Sequence, residues 1–211
     1  MSEAHRPDYP YAVVPELPEG DSVELDALLP GAAALELEIG PGRGSFLLER
    51  CAAEPHVRIL GIEVRRKWAR IVDDRLKQRG FGDRARVVCH DARQALPRLQ
   101  PGGAVSTVFF HFPDPWWKKR HRKRLVVVGP VLDQVSRLLR PGGELFIQTD
   151  VPERADEYEA ILHRRDDFEP AGDRPSSCRL ADNPYGARSN REHRAAADGL
   201  PVYRLRFTSV R

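Results

Sequence analysis

Five acids stand out by their spacing: Glu38 in LELEIGPGRG, Glu63 in LGIEV, Asp91 in CHDA, Asp114 in HFPDPWW and Asp150 in FIQTD. Each falls at or just beyond the end of a strand-like apolar run. A row of carboxylates at that position suits the binding of a cationic ligand or the acceptance of ribose hydroxyls and base amino groups. Beside Asp114 lies a second kind of chemistry. In HFPDPWWKKRHRKRL (111–125), Pro113 and Pro115 clamp the acid and Trp116 and Trp117 follow it. Six of the next seven residues are then Lys or Arg, with His121 the exception. Indoles stack on nucleobases, worth about 1–3 kcal/mol each, and a dense cationic block neutralises phosphates. Six positive charges at a helix start would oppose the helix dipole, so an anion is expected to compensate them. Taken alone, the indoles fit packing beneath the loop equally well.

The residues that must hold these groups read as alternating strands and helices. Residues 33–39, 57–64, 85–91, 105–112 and 141–150 are strand-like, and 202–210 is a last strand. Helices are expected over 45–54, 67–80, a short stretch near 92–99, 126–139 and 153–164, the fourth with Val128, Val131, Leu132 and Val135 on one face. Gly129-Pro130 belongs in that helix's first turn, where proline's missing donor costs nothing. Residues 174–199 read as a polar loop, and 1–30 as an arm or loosely packed lead-in to a domain over 31–211. The alternation predicts an α/β fold with a parallel sheet covered on both faces, its ligands bound beyond the carboxyl ends of the strands.

Composition narrows the classes. The chain has 211 residues, 41% hydrophobic and 31% charged, which fits a globular protein and excludes a disordered one. No apolar run reaches the roughly 20 residues a spanning helix needs, and MSEAHRPDYP carries no apolar signal segment, so a cytoplasmic protein with no membrane partner is expected. Cys51, Cys89 and Cys178 lack metal-ligand spacing; they are expected to be reduced packing residues, with no metal. The net charge of +3 hides a gradient. Residues 1–50 carry ten acids against Arg6, Arg43 and Arg50, whereas 174–211 carry eight arginines against Asp182, Glu192 and Asp198. With the central block, this asymmetry points to a polyanion.

The loop EIGPGRG spaces Gly40, Gly42 and Gly44 as G-x-G-x-G, not the G-x-G-x-x-G of dinucleotide enzymes. Glu38, two residues before the first glycine, would repel a pyrophosphate and attract an ammonium or sulfonium. Glu63 is placed to accept ribose hydroxyls, and Asp91 to accept from an adenine amino group. Together these favour S-adenosylmethionine over NAD. His111 and His121 are read as structural or solvated histidines.

In order and spacing, EIGPGRG, GIEV, HDA, FPDPWWKKRHRKRL, PGGELFIQTD and the closing PVYRLRF resemble the bacterial tRNA (guanine-N7-)-methyltransferase family, from about residue 33 onward. The resemblance implies a Rossmann-like, doubly wound, mostly parallel seven-stranded sheet of the class I methyltransferase type. It implies methylation of guanosine 46 in the tRNA variable loop with S-adenosylmethionine. By motif, Glu38, Glu63, Asp91 and Asp114 would contact the cofactor beside Gly40, Gly42 and Gly44, and Asp114 would be catalytic. Lys118 and Asp150 would contact substrate, and Arg120, His121, Arg122, Lys123 and Arg124 would lie against tRNA. Two departures stand out: Trp117 replaces the family's proline, and the late substrate-binding motif T-x-F/Y-E becomes Ser189-Asn190-Arg191-Glu192, with Arg191 in the aromatic's place. A methyltransferase acting on a small molecule or protein, or a non-catalytic RNA-binding module, remains the alternative, as do monomer and homodimer.

Overall fold

The structure is a computed structural model that describes residues 11–113 and 125–211. Its centre is a run of parallel strands: β2 (Ala34–Ile39), β3 (Val57–Glu63), β4 (Ala85–Cys89), β6 (Val105–His111) and β7 (Leu139–Thr149). β10 (Tyr203–Ser209) joins β7 antiparallel, and the short β8 (Phe168–Pro170) and β9 (Arg179–Leu180) pair with the outer side of β10. The order is β4-β3-β2-β6-β7-β10-β8, with β9 as an eighth strand off that path. The seven strands of the expected sheet are therefore present, with one short addition.

The helices α2 (Ser45–Ala53), α3 (Arg66–Gln78), α5 (Gly129–Leu138) and α6 (Pro152–Leu162) fall where the periodicity predicts. A four-residue α4 (Ala92–Ala95) continues into a 3-10 turn through Arg98. Both sheet faces are covered, so β3 and β6 are buried at every position, the pattern of a parallel sheet between helical layers. Alternation sorts their side chains: Val57 and Ile59 pack with Leu47, Val72 and Leu76, whereas Leu60 and Ile62 pack into the larger core with Val108 and Phe110.

Two segments differ from expectation. Residues 17–29 are not loosely packed: Leu17, Val23, Leu25 and Leu29 are buried in the main core. β1 (Val23–Glu24) pairs parallel with β5 (Leu99–Gln100), ahead of the one-turn helix α1 (Leu25–Leu28). The segment's carbonyls also satisfy cations, since Arg98 Nε donates to Gly20 O at 2.8 Å and a terminal nitrogen of Arg58 to Leu29 O at 2.5 Å. The region read as a polar loop contains β9 and an eight-residue helix, α7 (Asn190–Ala197). Only Glu192 and Ala195 of α7 are buried, which leaves little apolar periodicity to read. The Pro141-Gly142-Gly143 turn lies within β7, where the register against β6 slips between Val105 and Thr107.

The chain winds outward from β2 to β3 and β4, then returns to β6 on the other side of β2. That reversal opens a crevice beyond the carboxyl ends of β2 and β6.

Candidate active site

The crevice is a cleft of about 370 Å³. The glycine loop with Arg43 and Arg65 forms one wall, and Thr149, Asp150, Val151 and Arg154 with the start of α7 form the other. Glu38 and His111 lie between them, with Phe112 and Pro113 leading out.

The three loop glycines have left-handed φ values of 73°, 56° and 77°, but each serves a different need. A Cβ on Gly44 would sit 2.3 Å from Val72 Cγ1, so this glycine lets α2 pack closely on α3. Gly42 makes the turn, and its N–H donates to Glu63 Oε2 at 2.8 Å. Gly40 has open space where a Cβ would be, on the cleft side of the loop. Of the three, Gly40 thus leaves the most room for a ligand against the backbone.

Glu38 is 1% exposed. Its Oε1 accepts from His111 Nδ1 at 2.7 Å, and among the described residues neither Glu38 Oε2 nor His111 Nε2 has a partner. The His111 ring lies 4.2 Å from the Phe46 ring and 5.6 Å from that of Phe109. A buried carboxylate oxygen without a donor is costly. A cation or N–H donor in the cleft would satisfy it.

The other acids sit differently. Glu63, buried at the end of β3, accepts from Gly42 N through Oε2 and from Arg65 N and Nε through Oε1, so it braces the loop. Asp91 caps α4 by accepting from Arg93 N at 3.0 Å. The Arg93 hydrogen bond holds the Asp91 carboxyl below its ordinary range. Asp150 lines the cleft and pairs with Arg191, whose Nε donates at 2.8 Å. Asp114, Lys118, Arg120, His121, Arg122, Lys123 and Arg124, with Trp116 and Trp117, lie outside the described residues.

The Ser189–Glu192 stretch starts α7. Ser189 is its N-cap and accepts from Glu192 N at 3.2 Å, half of the reciprocal Ser-x-x-Glu pattern that begins helices. Ser189, Asn190 and Arg191 line the cleft. Asn190 Oδ1 also accepts from Ser45 N at 3.2 Å, which ties α7 to the start of α2. Glu192 turns inward, 1% exposed, and accepts from Gln148 Nε2, Asn183 Nδ2 and an Arg204 terminal nitrogen.

Sequence reasoning passed over His111 as structural. Its signal was positional: it ends the strand next to β2, so it faces the same crevice as Glu38. It also missed Phe112, whose φ of 51° is rare for a bulky side chain. Such strain costs about 1–3 kcal/mol and persists where the surroundings enforce it, often at binding sites.

The family described as "Putative methyltransferase" matches residues 32–205. A curated tRNA (guanine-N(7)-)-methyltransferase of Myxococcus xanthus is 38% identical over 182 residues, 86% of each chain. The chain belongs to the tRNA (guanine-N7-)-methyltransferase family. The fold of this family member is also that of the 16S rRNA methyltransferase KamB (TM-score 0.60, 17% identity, 87% of this chain and 91% of that one). It is shared as well by a SAM-dependent O-methyltransferase of Thermotoga maritima (TM-score 0.55, 16% identity, 88% and 62%). The cleft of a methyltransferase must hold S-adenosylmethionine, and the residues fit: a donor-poor buried carboxylate for positive charge, and open space over Gly40 for close approach.

Proposed function

We propose that this chain methylates N7 of a guanosine in tRNA, at position 46 of the variable loop, with S-adenosylmethionine as methyl donor. The observation that carries the reading is the unpaired Glu38 oxygen at the switch-point cleft, in a chain whose family is named for this reaction. The cofactor supplies an electrophilic methyl group. Glu38, Gly40 and Gly42 face it from the cleft wall, Gly44 and Glu63 hold the glycine loop in shape, and Asp91 and Asp114 complete its side of the site. Asp150, Ser189, Asn190 and Arg191 form the substrate side, with Glu192 as the buried anchor of that wall. The cations Lys118, Arg120, Arg122, Lys123 and Arg124, with His121, hold the tRNA backbone. Salt therefore weakens binding steeply.

Guanine N7 presents an in-plane lone pair and no proton. The reaction needs no strong base, and rate comes from alignment and from tolerance of the positive charge that develops on the imidazole ring. Asp114 serves by orienting the base or offsetting that charge. N7 faces the deep groove of an RNA helix, which side chains do not enter readily, so an irregular or flipped-out nucleotide is the target.

Among the described residues no helix is long and apolar enough to cross a membrane, and a cytoplasmic site of action follows from a tRNA substrate. The test is incubation of bulk tRNA with methyl-labelled cofactor and mapping of the labelled nucleotide. Label at N7 of guanosine 46 is expected. Label elsewhere moves the target, and no label with cofactor bound leaves an RNA-binding protein instead.

A further inference from the structure

Resting on the reading just given, we propose that His111 is a positioning residue for the methyl donor: it holds one Glu38 oxygen so that the other accepts from the donor's ammonium group. Three observations carry this. The pair spans two neighbouring strands and 73 residues of chain, so its geometry is fixed by the sheet and not by a loop. Both side chains are shut from water, 2% and 1% exposed, with Phe46, Phe109 and Phe146 around the imidazole. A hydrogen bond in such surroundings is stronger than in water, and an unmade one costs more. Finally, Glu38 Oε2 has no donor among the described residues although the residue lines the cleft.

A purely structural Glu–His pair would have its remaining oxygen satisfied, as Glu192 does. Glu38 instead keeps one acceptor in reserve. Because Nδ1 donates to Oε1, the carboxylate cannot rotate without losing its one partner among the described residues, so Oε2 is held in one place before a ligand arrives. Fixing a polar group in advance spares the ordering cost at binding.

The test is calorimetric binding of three probes to the full chain and two variants. S-adenosylmethionine and S-adenosylhomocysteine both carry the ammonium; 5′-methylthioadenosine keeps the adenosine and lacks it. His111→Phe fills the ring's place without a donor, and His111→Asn restores one. His111→Phe is expected to weaken both ammonium-bearing probes about tenfold or more, as loss of a charge-assisted hydrogen bond implies. It should change methylthioadenosine binding less than about threefold, and His111→Asn should recover most of the loss. Equal affinities in wild type and His111→Phe, or equal weakening of all three probes, overturn the proposal in favour of packing. Should His111→Phe not fold, ring 15N spectra of the unmodified chain decide. A His111 signal that shifts with S-adenosylhomocysteine but not with methylthioadenosine supports the proposal, and one that ignores both sinks it. If the unmodified chain binds none of the probes, the proposed function falls as well; if it binds them and only the variant data fail, that function stands.

Discussion

Glu38 and Glu192 are the same residue type, each 1% exposed; Glu38 lines the cleft, and Glu192 lies behind its α7 wall. Glu38, on β2, has one side-chain partner among the described residues and one oxygen without a donor there. Glu192, on the α7 side, is saturated by Gln148, Asn183 and Arg204. Burial alone therefore does not separate an anchor from a ligand-ready group; the count of donors does. One region keeps an acceptor with no donor among the described residues, and the other uses its acid to fasten a helix against β7 and β10.

Glutamine substitutions test that contrast most sharply. Glu192→Gln places an amide N–H among three donors and breaks the pairing with Arg204, a loss of about 3–5 kcal/mol by analogy with severed buried pairs. Chemical denaturation should show it; a change under about 1 kcal/mol would remove the anchor role.

The loop glycines give the next effect. Gly44→Ala adds overpacking against Val72 to left-handed strain, about 2–5 kcal/mol in total. Gly40→Ala adds only the strain, about 1–2 kcal/mol, yet obstructs the cleft. Urea melts should rank them in that order, and calorimetry with S-adenosylhomocysteine should detect the Gly40 variant as the weaker binder.

Glu38→Gln should leave stability within about 1 kcal/mol, because the lost carboxylate oxygen has no donor among the described residues. Affinity for S-adenosylmethionine should fall about tenfold, equivalent to about 1.4 kcal/mol. A stability loss as large as that of Glu192→Gln would erase the distinction between the two sides.

The smallest expected effect is a pH dependence. The Arg93 hydrogen bond, partly opposed by burial, lowers the Asp91 carboxyl. A depressed folded pKa means the contribution is complete above the unfolded value of about 3.9 and is lost as pH falls through the lower folded value. Asp91→Asn should flatten the stability profile in that acidic window and leave it unchanged in shape near neutrality.

Much of the frame was legible from local pattern. The strands 34–39, 57–63, 85–89 and 105–111 fall within one to two residues of the apolar runs that announced them, because an inner parallel strand must be apolar on both faces. α3 and α5 were equally plain from their spacing. α7 was not: its NREHRAAA run buries only two side chains, so it shows little helical periodicity. The lead-in was misread for a related reason. Leu17, Val23 and Leu25 are too scattered to show a period, yet each meets the core.

By itself the sequence determined which acids would stand at the strand ends, since period and turn chemistry place them locally. It also set the glycine spacing and the charge gradient. Only tertiary structure decided what each acid would do. Glu63 was turned to the loop, Asp91 to a helix cap and Asp150 to Arg191. Glu38 found His111 across 73 residues, and Glu192 found Gln148 across 44. Hydrogen-bond saturation depends on groups brought together by strand order and packing, and no spacing within a motif encodes that.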